Sequence, residues 1–327
     1  MGAWEQIVDY TVPSNTTSVD FTGLNITKDD FIKISFTFTG ASSLFDIGYI
    51  YANQDYTNTN YYRQVLRANA STVAADRENQ PRFISKQDGS NITSQSFAYL
   101  KLSENGKMNV FSNNNINTSS LVENWFEYVT STSTFNSITE LRIASFRSNG
   151  IATNSRIQIY KLAAEKVADV VVNANTTQVD ITGLDIKKGD EYLLVSDVLT
   201  SASGEVNLNL YVNNNTTNSN YYNQGIIGNG SSTTAFRSNQ TRFLDFGANK
   251  KGLSYTHIKL SNIGAYTHQS YSIFNYGDSD MHLRNLFVSS TAENITSINQ
   301  LNIGTNRNNS IGTGSRFELY KLYEGGN

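Results

Sequence analysis

A chain of 327 residues with net charge −3, 16% charged residues and no cysteine offers no basic stripe to nucleic acid and no thiol for a disulfide, a thiolate metal site or a cysteine nucleophile. Its bulk of Asn, Ser and Thr, with 19 Tyr and 17 Phe, favours turns and half-wet sheets over helices. The start MGAWEQIVDY lacks the cationic and apolar regions of a signal peptide, Gln6 replaces the Ser or Thr of a myristoylation signal, and no run approaches the roughly 20 apolar residues of a membrane helix, so membrane insertion is not expected.

In chain order, Val19 and Phe21 alternate with polar residues, and Ile32, Ile34, Phe36 and Phe38 project one way along FIKISFTFTG. Leu141 with Ile143, and Ile157 with Ile159, repeat the alternation near the middle of the chain. Period two predicts strands. Turn-prone clusters at Ser14 to Thr17, Asn53 to Asn60, Asn113 to Ser120 and Ser148 to Ser155 punctuate them at the spacing of a sandwich. In the second half, Tyr192, Leu194 and Ser196 alternate within YLLVSDV, with apolar neighbours between them.

The second half repeats the first. NTTSVDFTGLNI from Asn15 returns as NTTQVDITGLDI from Asn175, an offset of 160, and TNTNYYRQ from Thr57 returns as TNSNYYNQ from Thr217. RENQPRF and RSNQTRF, SITELRI and SINQLNI, and NSRIQIYKL and GSRFELYKL hold the same offset. Register slips only between Phe83 and Ser137, where loops absorb length changes. The chain therefore divides into two tandem homologous antiparallel β-sandwich domains of jelly-roll-like type, residues 1–164 and 165–327, with so short a tether, about Ala163 to Lys166, that their mutual orientation is restricted. Each copy closes on Tyr-Lys-Leu, whose Leu is expected to plug the core beside the first strand. Asn154 stands where the second copy has Gly314, the exchange expected at a positive-φ turn.

The VDFTGL opening, the TNxNYYxQ block and the closing SIxxLxI and GSRFELYKL, set in this composition, resemble domains of virion structural proteins of tailed bacteriophages: head fibres, decoration proteins, minor tail proteins and tail fibres. The resemblance spans nearly the whole chain, once per copy. It implies a sandwich on the virion surface, present in many copies or as a homo-oligomer, partnered by other virion proteins and often by host cell-surface polysaccharide.

The candidate ligand residues are the pairs Tyr61 with Tyr62 and Tyr221 with Tyr222, and Arg82 with Arg242. A sugar stacks its C–H face on an aromatic ring while amides and arginines bond its hydroxyls, and a guanidinium fork grips an acidic sugar or a phosphate. Consecutive strand residues face opposite ways, so one Tyr of each pair belongs to the core. The structural reading of the arginines is the favoured one, with Arg156 and Arg316 expected to tie a loop to carbonyls or to a nearby carboxylate at the sandwich rim.

Catalysis finds little to work with. Asp20 and Asp180 sit in a strand motif; Glu78, Asp88 and Glu104 have no acidic counterparts in the second copy; and His257, His268 and His282 lack metal-ligand spacing. Asp46, Asp55 and Asp88 could offer oxygens to calcium, but no acidic run of EF-hand type exists. The reading is no enzyme, no cofactor, no metal and no nucleic-acid partner. The Asn-x-Ser/Thr sequences at Asn15, Asn25, Asn91 and Asn294 follow from composition. Expected function is host attachment through glycans on the virion surface, with an architectural cementing protein as the alternative and a bacterial surface lectin as a third.

Overall fold

The computed structural model describes residues 3–39, 47–69, 72–85, 93–117, 122–247, 249–275, 281–291 and 294–323. The first copy contains β1 (Trp4–Thr11), β2 (Ser18–Ile26), β3 (Ile32–Thr39), β4 (Ile47–Ala52), β5 (Tyr61–Asn69), β6 (Thr72–Glu78), β7 (Arg82–Ser85), β8 (Thr93–Leu102), β9 (Lys107–Asn117), β10 (Val122–Thr134), β11 (Ile138–Ser145) and β12 (Arg156–Leu162). The second contains β13 (Glu165–Val171), β14 (Gln178–Lys187), β15 (Glu191–Leu199), β16 (Val206–Val212), β17 (Tyr221–Asn229), β18 (Ser232–Ser238), β19 (Arg242–Phe246), β20 (Lys251–Leu260), β21 (Tyr266–Phe274), β22 (His282–Ser290), β23 (Ser297–Thr305) and β24 (Arg316–Tyr323).

Each copy is an antiparallel sandwich of a large and a small sheet, ordered β1-β12-β3-β8-β9-β10-β5-β6 and β2-β11-β4-β7 in the first and identically in the second. Setting aside the hairpins β5–β6 and β9–β10 leaves β1-β12-β3-β8 facing β2-β11-β4-β7, the two sheets of a jelly roll. The hairpins widen the larger sheet by four strands. Period two in the sequence becomes burial: Ile32, Ile34, Phe36 and Phe38 point into the core with Val19, Phe21, Leu141, Ile143, Ile157 and Ile159. Asn154 and Gly314 both hold positive φ, 67° and 87°, at the turn into the last strand.

Only Ala163 and Ala164 separate β12 from β13, and the two large sheets pack against each other. Phe31, Leu66, Tyr99, Phe111 and Tyr128 of the first copy form one buried cluster with Leu193, Val195, Leu253, Tyr255 and Leu283 of the second. Ring centroids lie 4.9 Å apart for Phe31 and Tyr255 and 4.8 Å for Phe111 and Tyr271. Leu162 joins this interface instead of plugging its own core, and Leu322 packs at the same cluster. Parity explains the correction: Ile157 and Ile159 face inward, so a residue three further on faces out. The covered outer face also explains why β15 is buried along both faces while β3 alternates.

Charges lock the interface. Arg316 forks onto Asp169 at 2.8 and 2.7 Å and reaches Asp29 at 2.8 Å and Glu104 at 3.0 Å across the junction. Its counterpart Arg156 forks onto Asp9 alone, at 2.8 and 2.6 Å; in both copies the arginine grips a carboxylate of the first strand and not the expected loop.

Candidate functional site

The repeated tyrosine motif begins after a short 3₁₀ turn, Asn58–Asn60 or Asn218–Asn220. Tyr61 and Tyr221 then point into the sandwich with 0% exposure. Their hydroxyls donate to the carbonyls of Asp55 and Asn215, each at 2.9 Å, and accept from the amides of Ala52 and Val212. Burial pushes Tyr221 up to about 12 and raises Tyr61 further. Both are pillars of the 3₁₀ corner, with no surface for a sugar. Tyr62 is half-buried against the interface cluster. Tyr222 alone of the four is open, 57% exposed.

Arg82 and Arg242 are held by their own copies. Arg82 pairs with Glu78 at 3.2 Å, and Arg242 bonds Gln240 at 2.5 Å and Asp245 at 3.3 Å. Each borders a buried ion cluster. In the first copy Arg63 is clamped by Glu127 at 3.0 Å and by Glu78; in the second Arg284 pairs with Asp245. Self-neutralised guanidiniums beside a carboxylate are poorly placed to grip an acidic ligand.

The open ring of Tyr222 belongs to a surface that the sequence did not reveal. On the outer face of the second large sheet, Tyr222 lies opposite Ser289, and Gln224 lies opposite Phe287. Phe287 is 51% exposed and, being two residues along from Ser289, is the diagonal neighbour of Tyr222. With Arg237 and Ser289 these residues line a hollow of about 310 Å³. Phe287 is shared with an adjoining hollow of about 190 Å³ that includes His257, Lys259, Thr267 and Gln269. Lys259 pairs with Glu191 at 2.5 Å, and burial pulls the His257 imidazole below its ordinary value. No described carboxylate pairs with Arg237; its Nη2 donates to Gln224 Oε1 at 3.5 Å.

The same ladder positions in the first copy are closed. There Tyr62 lies opposite Thr130 and Gln64 opposite Tyr128, so Tyr128 stands where the second copy has Phe287. Tyr128 is 1% exposed and Gln64 0%, covered by the second domain. The docking stacks equivalent strands, β5 and β6 on β17 and β18, but off register, with Gln64 near the start of β5 meeting Gly230 just past the end of β17, which leaves the second domain's site open and fills the first domain's.

A larger hollow of about 510 Å³ around Asp185, Lys187, Asp190 and Lys321 offers charge but no exposed ring. Of the acids considered for calcium, Asp55 accepts from Asn60 and Ser133, at 2.8 and 2.7 Å; Asp46 and Asp88 lie outside the described residues. Asp20 forks with Arg142, whereas Asp180 accepts from Gln178 and Asn302. No cluster of three metal-ligating side chains occurs among the described residues.

No protein-family model matches the chain, and no curated protein matches it in sequence. Among solved structures, a toad ovary galectin in complex with thio-digalactose is similar over 44% of this chain and 98% of its own, at 12% identity and a TM-score of 0.22. Mouse laminin alpha1 domains LG4-5 are similar over 99% of this chain and 92% of their own, at 8% identity and a TM-score of 0.17. Scores this low carry nothing from either protein to this chain.

Proposed function

We propose that this chain is a non-catalytic virion surface protein of tailed-bacteriophage type whose second domain attaches reversibly to host cell-surface glycans. The observation that carries the binding half is the pair of open rings, Tyr222 and Phe287, set among Gln224, Arg237 and Ser289 on one sheet face. Rings supply the apolar stacking surface and the amide, guanidinium and hydroxyl supply hydrogen bonds, the two ingredients of sugar recognition. The virion half rests on the repeated sequence blocks described first. A shallow site binds weakly alone and gains strength when many copies are displayed.

The test is capture of host cells or arrayed glycans by the protein clustered on beads. Capture that disappears in Tyr222→Ala/Phe287→Ala supports the reading, and capture that survives the double change removes this site from it. A second reading, architectural cementing of neighbouring virion subunits, draws on the fact that the first domain spends its matching face on protein docking. No capture by the wild type at high valency would favour that reading.

A further inference from the structure

We infer that the open site selects sugars bearing an acetamido group, an inference that rests on the glycan reading above. The first copy shows what the matching site takes. Gln64 Nε2 donates to the carbonyl of Gly230 at 3.0 Å, and the Gly230 amide donates back to Gln64 Oε1 at 3.1 Å. Arg77 donates to the carbonyl of Met281 and, at 3.4 Å, to Asn229 Oδ1, while its Nε holds Gln64 Oε1 at 3.2 Å. The occupant of that site is therefore a set of amide groups: one N–H donor and several C=O acceptors.

Gln224 and Arg237 are the same pair in the second copy, directly opposite each other on the ladder as Gln64 and Arg77 are. No described residue of the first domain hydrogen-bonds to either. One amide oxygen that accepts, and amide and guanidinium groups that donate, thus face solvent beside Phe287 and Tyr222. A secondary amide is the group that presents an N–H and a C=O together, and on a sugar it is the acetamido substituent. Its N–H meets Gln224 Oε1, its carbonyl meets Arg237, and its methyl rests on the Phe287 ring. A sugar with a hydroxyl in its place forgoes the methyl contact on Phe287 and must make both bonds through one oxygen, where the amide offers its donor and acceptor on separate atoms. A second copy of this chain is the poorer occupant, because the Asn229–Gly230 turn that fills the first site is already engaged within each chain.

The test is an NMR titration of the full chain with matched pairs: N-acetylglucosamine and glucose, N-acetylgalactosamine and galactose, N-acetylmannosamine and mannose. The expected result is an acetamido sugar bound about tenfold more tightly than its parent, in at least one pair. Gln224→Leu is expected to erase that preference by weakening the acetamido sugar more than its parent, and Phe287→Ala to weaken both. Equal affinities within every pair overturn the inference while the glycan reading stands. Concentration-dependent dimers in sedimentation that Phe287→Ala dissolves overturn it in favour of a second copy.

Discussion

The ammonium of Lys101 and the carboxylate of Glu318 meet at 2.7 Å across the domain junction, with both side chains only 2% exposed. Glu318 also takes Lys166 at 2.6 Å and Arg316 at 3.3 Å. Burial opposes its ionisation, but these three cations outweigh burial and its pKa is lowered. Glu318→Gln strands Lys101 in the interface and is expected to cost about 3–5 kcal/mol in urea denaturation. Lys101→Met leaves Glu318 two cations and is expected to cost less. Because the folded pKa is the lower one, the carboxylate's contribution is complete above its ordinary 4.5 and is lost as pH falls through the folded value.

The tyrosine pairs separate scaffold from site. Tyr61→Phe and Tyr221→Phe each leave a buried carbonyl and amide short of a partner, for an expected loss of about 1–3 kcal/mol with glycan capture unchanged. Tyr222→Ala is expected to leave stability within about 0.5 kcal/mol and to weaken capture. Denaturation and bead capture on the same three variants read both quantities.

The architecture is legible because alternation and a constant repeat offset are local signals. β3 shows its buried face directly, and in β15 Leu193 and Val195 stand at the places of Lys33 and Ser35, marking an outer face that something covers. Tyr222 was readable through its repeat with Tyr62. Gln224 and Arg237 also sit in repeated blocks, but a shared residue reads as scaffold when only one copy leaves it open. Phe287 lies where the copies lose register, and which of two matched faces stays free is decided by domain docking between residues far apart in sequence.

His268 is buried in the second core at 1% exposure, with Nδ1 2.8 Å from the Tyr266 hydroxyl. Burial pulls its pKa from 6.5 down to about 3. The unfolded chain takes a proton that the folded one refuses, so stability is complete above about pH 6.5 and falls with pH below it. At the matching ladder positions the first copy carries Met108 and Val110. Tyr266→Met/His268→Val is therefore expected to fold and to shed this acid sensitivity. Its stability relative to wild type is expected to improve by up to about 1.4 kcal/mol per pH unit below pH 6.5, measured by denaturation between pH 7 and 4.

The residues that build the first copy's ion cluster are uncharged in the second, whose own buried ion pair, Arg284 with Asp245, is made at other positions. Asn223, Gly225 and Leu286 occupy the ladder places of Arg63, Val65 and Glu127. Leu286 fills the space in front of Gly225, where a Cβ would come within 2.3 Å of Leu286 Cδ2. Arg63→Met strands Glu127, which is 0% exposed, and is expected to cost about 3–5 kcal/mol. Adopting the whole trio, Arg63→Asn, Val65→Gly and Glu127→Leu, is expected to recover at least half of that loss in the same denaturation experiment.

The pairing of each copy's first strand with its last sets how the protein meets a pulling force. Trp4 lies opposite Leu162, and Glu165 opposite Lys321, so the two ends of each copy leave from the same end of one antiparallel ladder. Tension applied between them opens that ladder one hydrogen bond at a time, as a zipper opens, and does not shear all its bonds together. Forced opening is governed by a rate, and unzipping keeps the required force low.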